Sequence, residues 1–249
     1  MCGGIGKVCA NGFCCGDGHV DPGEQCDLGA ANAPNAYGSG TCTTQCKTGG
    51  YCGDGIVNGP EACDSNGSGA VTLGACNPEC TGFYTKKSIN ATSAFGSGNL
   101  GGPSGADTSC QTQFGAGWKA LVVGGTRRAT LTPFVGDGAQ DWVLQKYTYY
   151  YNAQSQLIWR TDSVPLLGVS GGARQPLSAS VYDASAFIYA WSGWQTDWTT
   201  VPDMPASALG TCIGWTSASS SDWGQFVTAD LTPANDACAT TYRILCVQQ

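Results

Sequence analysis

The side chains of this sequence that could carry chemistry are cysteines and carboxylates, and they recur together near its start. Two near-copies of one pattern occupy residues 15–51 and 52–80, each running Cys-Gly-Asp-Gly, then Glu-x-Cys-Asp, then a closing Cys-x3-Cys. Cysteines in such a pattern can form disulfides or bind a metal, and clustered carboxylates can bind Ca²⁺. The eight cysteines of the two copies are Cys15, Cys26, Cys42, Cys46, Cys52, Cys63, Cys76 and Cys80.

Disulfides are the favoured role of these cysteines. Residues 1–80 hold 11 of the 15 cysteines, no tryptophan and one phenylalanine. Such a segment buries too little apolar surface to fold by collapse alone, so cross-links must replace a core, and they require an oxidising compartment. Zinc is the alternative, but zinc modules usually offer Cys-x2-Cys pairs or histidines, and His19 is the only histidine. Four cysteines per copy allow three pairings, among which the sequence does not choose.

Six carboxylates take equivalent places in the two copies and are candidate calcium ligands. Ca²⁺ binds six to eight oxygens, which loops pinned by disulfides could supply, although the spacing does not match an EF-hand. The alternative role is structural, because aspartates beside glycines commonly accept hydrogen bonds from turn amides. Calcium is thus the one cofactor that the sequence suggests. The six residues are Asp17, Glu24, Asp27, Asp54, Glu61 and Asp64.

Residues 1–14 look like the tail of an earlier, incomplete copy. Because 15 is an odd number of cysteines, at least one is expected to be free, modified or paired between chains. Cys2 could carry the lipid anchor of a bacterial lipoprotein, and the alternative is an ordinary half-cystine with Cys9 and Cys14. The sequence shows neither a signal peptide nor an apolar stretch of membrane-spanning length. Because the cysteines require export, we expect the export signal to have been removed or left out of this numbering.

Residues 81–249 differ in composition and are expected to form a second domain, a head presented by the stalk of residues 1–80. They hold all eight tryptophans, enough for a hydrophobic core, and the remaining four cysteines. Their net charge is −1, against −6 for the stalk. Neither part has the basic surface that nucleic acids or anionic membranes require.

One helix, an edge strand and six further strands are predicted in the head. The helix covers Pro103–Ala116, with Ser104 as its cap, Asp107 in its first turn, and an apolar face formed by Ala106, Cys110 and Phe114. Residues 83–100 are expected to form an edge strand and a loop. The domain is therefore predicted to be α+β with a mainly antiparallel sheet. The predicted strands are Trp118–Val123, Trp142–Tyr151, Gln156–Arg160, Ala186–Trp191, Thr211–Thr216 and Thr241–Val247.

Catalysis is not expected. A single histidine excludes most nucleophile–histidine arrangements in the head, and no glutamate follows Glu79. Paired carboxylates for glycoside hydrolysis are conceivable among the loop aspartates, but nothing distinguishes a pair. Those aspartates are Asp137, Asp141, Asp183 and Asp197.

The tryptophans of Trp-Ser-Gly-Trp-Gln-Thr-Asp-Trp are the most conspicuous feature of the head. Trp191 is expected in the core. Trp194 and Trp198 would form an aromatic platform for sugar rings or a partner protein if exposed, and would fill the core otherwise. The four late cysteines suggest nested disulfides, Cys110–Cys246 outside and Cys212–Cys238 inside, which would tie the helix to the last strand.

The two copies resemble the Myxococcus-type cysteine-rich repeat, which runs Cys-Gly-Asp-Gly, then Gly-Glu-x-Cys-Asp, then Cys-x3-Cys. The second copy departs from it, since Gly59-Pro60-Glu61 has a proline between the glycine and the glutamate. This resemblance implies a stalk or spacer of an exported bacterial protein.

Residues 83–249 resemble the bacterial endostatin-like domain of spirochaete surface proteins. The resemblance implies a fold related to endostatin and C-type lectins, with the same nested disulfides, and a role in adhesion. Asn235-Asp236 is similar to the calcium-site Asn-Asp of lectins, but the usual Glu-Pro-Asn or Gln-Pro-Asp partner is absent. The segments that carry the resemblance are Gly98-Asn-Leu-Gly-Gly, Gly105-Ala-Asp with Cys110, Lys119-Ala-Leu, Asp141-Trp-Val-Leu, Tyr149-Tyr-Tyr, Trp191-Ser-Gly, Thr211-Cys-Ile-Gly-Trp and Leu245-Cys-Val-Gln-Gln.

Taken together, the sequence predicts a non-catalytic protein that is secreted or displayed on a bacterial cell surface. A stalk of disulfide-rich repeats would present an endostatin-like or C-type-lectin-like head that binds an extracellular matrix or host protein. One alternative is a structural subunit of an extracellular filament or sheath, in which copies of the chain bind each other. The other is a glycan-binding lectin.

Overall fold

The computed structural model describes residues 9–10, 13–67, 69, 71–182, 189–201 and 210–249. The chain divides into two compact units, Met1–Tyr84 and Thr85–Gln249. This division lies close to the change in composition after residue 80. None of the helices in the described residues combines the length and the apolar character needed to cross a bilayer.

Both repeats of the first unit are built on the same pair of nested disulfides. In each copy the first cysteine is bridged to the fourth and the second to the third. In the chain-entropy model, a disulfide that closes a loop of about 15 residues stabilises a fold by roughly 3 kcal/mol. Four such disulfides can therefore replace a hydrophobic core. The four bridges are Cys15–Cys46, Cys26–Cys42, Cys52–Cys80 and Cys63–Cys76.

Regular structure is sparse in this unit. Its described elements are β1 (Cys9–Ala10), β2 (Phe13–Cys14) and a 3-10 turn at Gly29–Ala31. Cys14 is also disulfide-bonded. The lipid anchor predicted at Cys2 lies outside the described residues.

The two repeats pack against each other through Tyr37. Its phenol donates a 2.7 Å hydrogen bond to Glu61 Oε1. Its ring covers Gly59, where an added Cβ would lie 2.5 Å from Tyr37 Cδ2. The second copy therefore has Gly59-Pro60 where the first has Pro22-Gly23, because the position under the ring has room only for glycine. Packing between the copies thus explains the departure from the repeat pattern.

The connection between the repeats is packed as well. Gly38 N–H donates to the carbonyl oxygen of Gly50 at 2.7 Å. A Cβ at Gly49 would lie 2.0 Å from Thr41 Oγ1, and one at Gly50 would lie 2.0 Å from Asn58 Oδ1. These glycines are needed because other atoms approach the backbone closely, not because the connection is flexible.

The second unit is an α+β domain whose main sheet is mixed and mostly antiparallel. The described strands of the sheet are β3 (Thr85–Ala91), β4 (Trp118–Ala120), β5 (Thr148–Tyr151), β6 (Leu157–Arg160), β9 (Ala190–Trp191), β10 (Trp223–Val227), β11 (Pro233–Ala237) and β12 (Arg243–Gln248). They follow the order β11-β10-β9-β12-β3-β5-β6, and β4 pairs with β12. The pairs β12–β9 and β3–β5 are parallel.

A small hairpin and two helical segments complete the domain. The hairpin is formed by β7 (Val169–Ser170) and β8 (Ala173–Arg174), and the helical segments are α1 (Gly102–Phe114) and α2 (Cys212–Trp215). The late disulfides are Cys110–Cys246, which joins α1 to β12, and Cys212–Cys238. This is the nested arrangement that the sequence suggested.

The last strand organises the core, since β12 pairs with β3, β4 and β9. Its side chains alternate between two buried clusters, as strand periodicity requires. Leu245 and Val247 belong to the larger cluster. Ile244 and Cys246 belong to the smaller cluster, which packs against α1.

Several predicted elements of the head differ from the structure. The strand expected within residues 83–100 is β3, which lies inside the sheet between β12 and β5 rather than at its edge. Strands β10 and β11 were not predicted. The helix is correct, but its N-cap is Gly101 in the left-handed region, with no side-chain cap, so the capping role predicted for Ser104 is wrong.

The strand predicted at residues 211–216 is also wrong. This segment forms α2, in which four successive residues have left-handed φ values: Cys212 at 51°, Ile213 at 55°, Gly214 at 62° and Trp215 at 67°. Such a turn costs roughly 1–2 kcal/mol per non-glycine residue, so it must be held from outside. The Cys212–Cys238 bridge holds its start, and a 2.7 Å hydrogen bond from Trp215 Nε1 to the carbonyl of Val123 holds its end.

The packing of Tyr37 on Gly59 generates a prediction. We expect Gly59→Ala to destabilise the contact between the repeats by more than Gly29→Ala destabilises the first repeat. Both glycines have similar φ values, +56° and +61°, so both variants incur the left-handed backbone cost of about 1–2 kcal/mol. Only Gly59→Ala adds overpacking, which costs about 1–3 kcal/mol.

Hydrogen exchange at the amides of residues 49–62, followed by mass spectrometry, measures this difference. Protection there is expected to fall clearly in Gly59→Ala and to change little in Gly29→Ala. Equal protection in the two variants would contradict the packing role of Gly59.

Candidate functional site

A surface groove of about 400 Å³ lies between α1 and the loop that follows β3. We call it the α1 groove. The exposed face of α1 forms one wall with Thr108, Ser109, Thr112 and Gln113. The other wall and the floor come from the loop and from β12, with Phe95, Asn99, Leu100 and Ile244 among them. The volume falls within the range of known ligand pockets.

The loop wall of the groove is held by hydrogen bonds along its length. Gly96 exchanges two backbone hydrogen bonds with Tyr242, at 2.8 and 2.9 Å. Its carbonyl also accepts a 2.9 Å hydrogen bond from Trp191 Nε1. Further along, Gly98 N–H donates to Cys238 O at 2.8 Å, and Leu100 N–H donates to Trp215 O at 3.0 Å. The groove is therefore formed before any ligand arrives.

The helix wall is positioned by a buried ion pair as well as by the Cys110–Cys246 bridge. Asp107, on the buried face of α1, receives two hydrogen bonds from Arg127, Nη1 to Oδ1 at 2.9 Å and Nη2 to Oδ2 at 2.7 Å. The side chain of Arg127 is only 1% exposed. Asp107 Oδ1 also accepts from Ala120 N–H at 2.8 Å, which joins α1 to β4.

A second carboxylate completes this network. Asp141 Oδ2 accepts from Arg127 Nη2 at 2.6 Å, and its Oδ1 accepts from Lys119 Nζ at 2.8 Å. Desolvation raises the pKa of Asp141, but the bonds from Lys119 and Arg127 outweigh it and lower the pKa below 3.8. Desolvation likewise lowers the pKa of Arg127, and the two aspartates raise it overall, so the guanidinium stays charged.

The hydroxyl groups on the helix wall all donate to the helix itself. Thr108 Oγ1 donates to Ser104 O at 3.0 Å, Ser109 Oγ to Gly105 O at 3.3 Å, and Thr112 Oγ1 to Thr108 O at 2.8 Å. A hydroxyl has one hydrogen and two lone pairs, so each oxygen is left as an acceptor for a ligand.

An exposed aromatic ring stands at the loop wall. Phe95 is 55% exposed. The guanidinium of Arg243 lies 4.7 Å from its ring centroid, within cation–π range. The groove thus combines an aromatic surface with uncharged polar groups, and its described lining contains no carboxylate, histidine or cysteine.

The aromatic platform predicted at Trp194 and Trp198 is not formed. Both side chains are buried, with exposures of 1% and 3%. Their rings stack at 4.7 Å, and Trp142 packs edge-on against Trp198 at 5.9 Å. All three belong to or pack against the larger core cluster, because large aromatic side chains gain most from burial. Trp191 lies in the core as expected.

The candidate calcium ligands of the stalk are occupied by hydrogen bonds from the turns. Asp27 Oδ2 accepts from the amides of Gly16 and Asp17, and its Oδ1 accepts from Gly29 N–H and from Asn32 Nδ2. In the second copy, Asp64 accepts from Gly53, Gly55 and Asn66. Each of these aspartates therefore fixes the turns around one disulfide pair.

The other four candidates have the same role. In the first copy, Asp17 accepts a hydrogen bond from His19 N–H, and Glu24 accepts one from Asp21 N–H. In the second copy, Asp54 accepts hydrogen bonds from Tyr51, Ile56 and Asn58. Glu61 accepts hydrogen bonds from Asn58 and Tyr37. Two described clusters have the spacing of a metal site, Cys15/Glu24/Cys46 and Glu61/Asp64/Cys80. Their cysteines are in disulfides and offer no thiolate. The geometry favours the structural alternative, and calcium binding stays a prediction.

A comparison with protein-family models shows which family the chain belongs to. The family model described as "Protein of unknown function (DUF1554)" matches residues 93–232, which is more than half of the chain. The chain belongs to the DUF1554 family. In this DUF1554 protein the matched segment contains α1 and the loop wall of the groove, and it ends before β12. No curated protein matches the chain.

The sequence did not indicate Arg127, and it placed Asp107 in the first turn of the helix, whereas Asp107 lies beyond that turn and is buried. The signal was present, because Asp107 directly follows Ala106 and precedes Cys110 by one helical turn, and both neighbours were placed on the buried face. A carboxylate on that face requires a buried cationic partner. The identity of the partner could not be deduced, since Arg127 lies outside every predicted element.

The ion pair predicts a large effect on stability. We expect Arg127→Met to lower the free energy of unfolding of the head by about 3–5 kcal/mol, because it leaves Asp107 buried without a cation. Lys119→Met, a matched control on the exposed pair with Asp141, should cost less than about 1 kcal/mol. Chemical denaturation followed by tryptophan fluorescence measures both. Similar small losses in the two variants would show that the buried pair does not hold α1.

The turn hydrogen bonds of Asp27 predict a dependence on pH. Desolvation raises the pKa of this carboxyl, but the amides of Gly29, Gly16, Asp17 and Gly18 lower it to about 2 from 3.8. Because the folded pKa is below the unfolded one, the stabilisation is complete above about pH 4 and is lost as the pH falls toward 2. An NMR titration of the Asp27 carboxyl should give a midpoint near 2. A midpoint at or above 3.8 would exclude this role.

Proposed function

We propose that this DUF1554 protein is a non-catalytic binding protein of an extracellular environment. Its second unit binds a macromolecular partner, and the repeat unit serves as a spacer. Six disulfides between described residues, together with the further bridge of Cys14, support folding in an oxidising compartment, outside the reducing cytoplasm. The display on a bacterial surface is part of the proposal and is suggested by the resemblance of the repeats to exported stalks.

The observation that carries this function is the α1 groove. It is held by backbone hydrogen bonds, a disulfide and a buried ion pair, and its walls present an exposed phenylalanine with uncharged polar groups. Its described lining offers no nucleophile–base pair and no paired carboxylates. A rigid groove of this kind suits binding, because a ligand need not induce its formation.

We further infer that the second unit has a fold related to endostatin and C-type lectins. The support is the α+β architecture and the pairing Cys110–Cys246 and Cys212–Cys238, which is the pairing that the resemblance implies. The partner proposed on the same ground is an extracellular matrix or host protein, bound in an adhesin-like manner.

Solid-phase binding of the full chain to immobilised laminin and fibronectin tests this function. We expect saturable binding to at least one of them. Ser109→Arg places a long charged side chain on the groove wall and should weaken that binding at least about tenfold, or 1.4 kcal/mol. Gln111→Arg adds the same side chain to an exposed position of α1 outside the groove and should leave the affinity unchanged.

Two results would refute the proposal. One is the absence of binding to either matrix protein by a folded chain. The other is equal binding by Ser109→Arg and the unmodified protein, which would place the partner elsewhere.

A further inference from the structure

We propose that the α1 groove binds an uncharged glycan, so that the partner is recognised through its carbohydrate. This inference rests on the function proposed above, since it names the chemistry that the same groove accepts. It follows from three properties of the groove: its hydrogen-bonding groups, its aromatic ring and the absence of acidic and basic side chains from its described lining.

The helix wall favours a ligand that donates hydrogen bonds. The hydrogens of Thr108, Ser109 and Thr112 are committed to backbone carbonyls, at 3.0, 3.3 and 2.8 Å. Three closely spaced oxygens are therefore acceptors. A sugar ring offers several hydroxyl donors on neighbouring carbons, whereas an extended peptide offers donors and acceptors alternately along its backbone. A row of acceptors matches the sugar better.

Donors are supplied at the end of the same wall. Gln113 Oε1 accepts hydrogen bonds from Ser93 N–H at 2.8 Å and from Ser93 Oγ at 3.2 Å. Because the amide oxygen of Gln113 accepts both of these hydrogen bonds, the orientation of the amide is fixed. Its NH2 group is left to donate to a ligand. Across the groove, Asn99 adds an exposed amide. A glycan hydroxyl can accept from these groups while it donates to the threonines.

Phe95 supplies the apolar contact. A sugar has an apolar face of C–H groups, and an exposed aromatic ring is the surface on which such a face packs. The ring is 55% exposed, and the guanidinium 4.7 Å from its centroid restricts its movement. A restrained ring loses little side-chain entropy when a ligand binds.

The charge of the groove favours a neutral ligand and binding without calcium. Its described lining holds neither acidic nor basic side chains, and the nearby guanidinium of Arg243 is engaged with the ring of Phe95. The carboxylate that resembles a lectin calcium ligand, Asp236, is already used, because it accepts from the Tyr242 hydroxyl and from Ala237 N–H. Binding in the α1 groove should therefore persist when calcium is removed.

An array of neutral and acidic oligosaccharides, probed with the full chain with and without EDTA, gives the first test. We expect neutral oligosaccharides to be bound equally in both conditions. Titration calorimetry with the strongest neutral oligosaccharide then measures the variants. Phe95→Ala should weaken binding at least about tenfold. Thr112→Val keeps the shape of the side chain but removes an acceptor, and it should weaken binding by a smaller factor.

Two control variants should leave the affinity unchanged. Phe83→Ala removes an exposed phenylalanine of the first unit, which at 54% exposure matches Phe95. Gln111→Ala alters an exposed position of α1 outside the groove. Circular dichroism of each variant verifies folding. Binding only of acidic sugars, loss of binding in EDTA, binding of no oligosaccharide, or full affinity in a folded Phe95→Ala variant would each overturn the inference.

Enzymatic removal of glycans from the matrix coat separates this inference from the proposed function. If binding disappears with the glycans, both stand. If binding persists and Ser109→Arg still abolishes it, the groove binds protein and only the glycan inference fails. If the chain binds neither coat, both fail.

Discussion

The position of α1 depends on the buried ion pair between Asp107 and Arg127. The pair is buried, its geometry is bidentate, and the third hydrogen bond of Asp107 joins the helix to β4. Burial of two charges is costly, so the gain lies in specificity of placement. The Cys110–Cys246 bridge limits how far α1 can move from β12, and the ion pair fixes its orientation. Without both, the outer face of α1 would not form a wall of the groove.

The two units are stabilised by different interactions. In the repeats, disulfides and aspartates bonded to turn amides replace a core, so the fold depends on local covalent and polar contacts. The head buries two apolar clusters on the two faces of β12. Its disulfides sit inside that packing, since all four cysteines are completely buried. The first unit thus needs oxidising conditions to fold, whereas in the second unit the disulfides reinforce a fold that already has a hydrophobic core.

The parts that could be predicted from the sequence are those governed by neighbours in the chain. Cysteine spacing indicated the repeats, periodicity indicated α1, and runs of β-branched and aromatic residues indicated most strands of the main sheet. The left-handed turn at α2 could not be predicted, because the distant Cys238 and Val123 hold it against its local β propensity. The burial of Trp194 and Trp198 likewise depends on the sheet beside them. The groove joins Phe95, Thr112 and Ile244, three positions far apart in the chain, so no local pattern signals it.

Because of the contact between Tyr37 and Gly59, the two repeats cannot be exchanged in their order along the chain. The second copy has Val71 where Tyr37 stands, each lying five residues before the third cysteine of its copy, and the first copy has Pro22 where Gly59 stands. A gene rearrangement that exchanged the two modules would bring together a valine and a proline, which can form neither the ring contact nor the phenol hydrogen bond. Although the modules look interchangeable in their cysteines, each has become specialised for its place in the series.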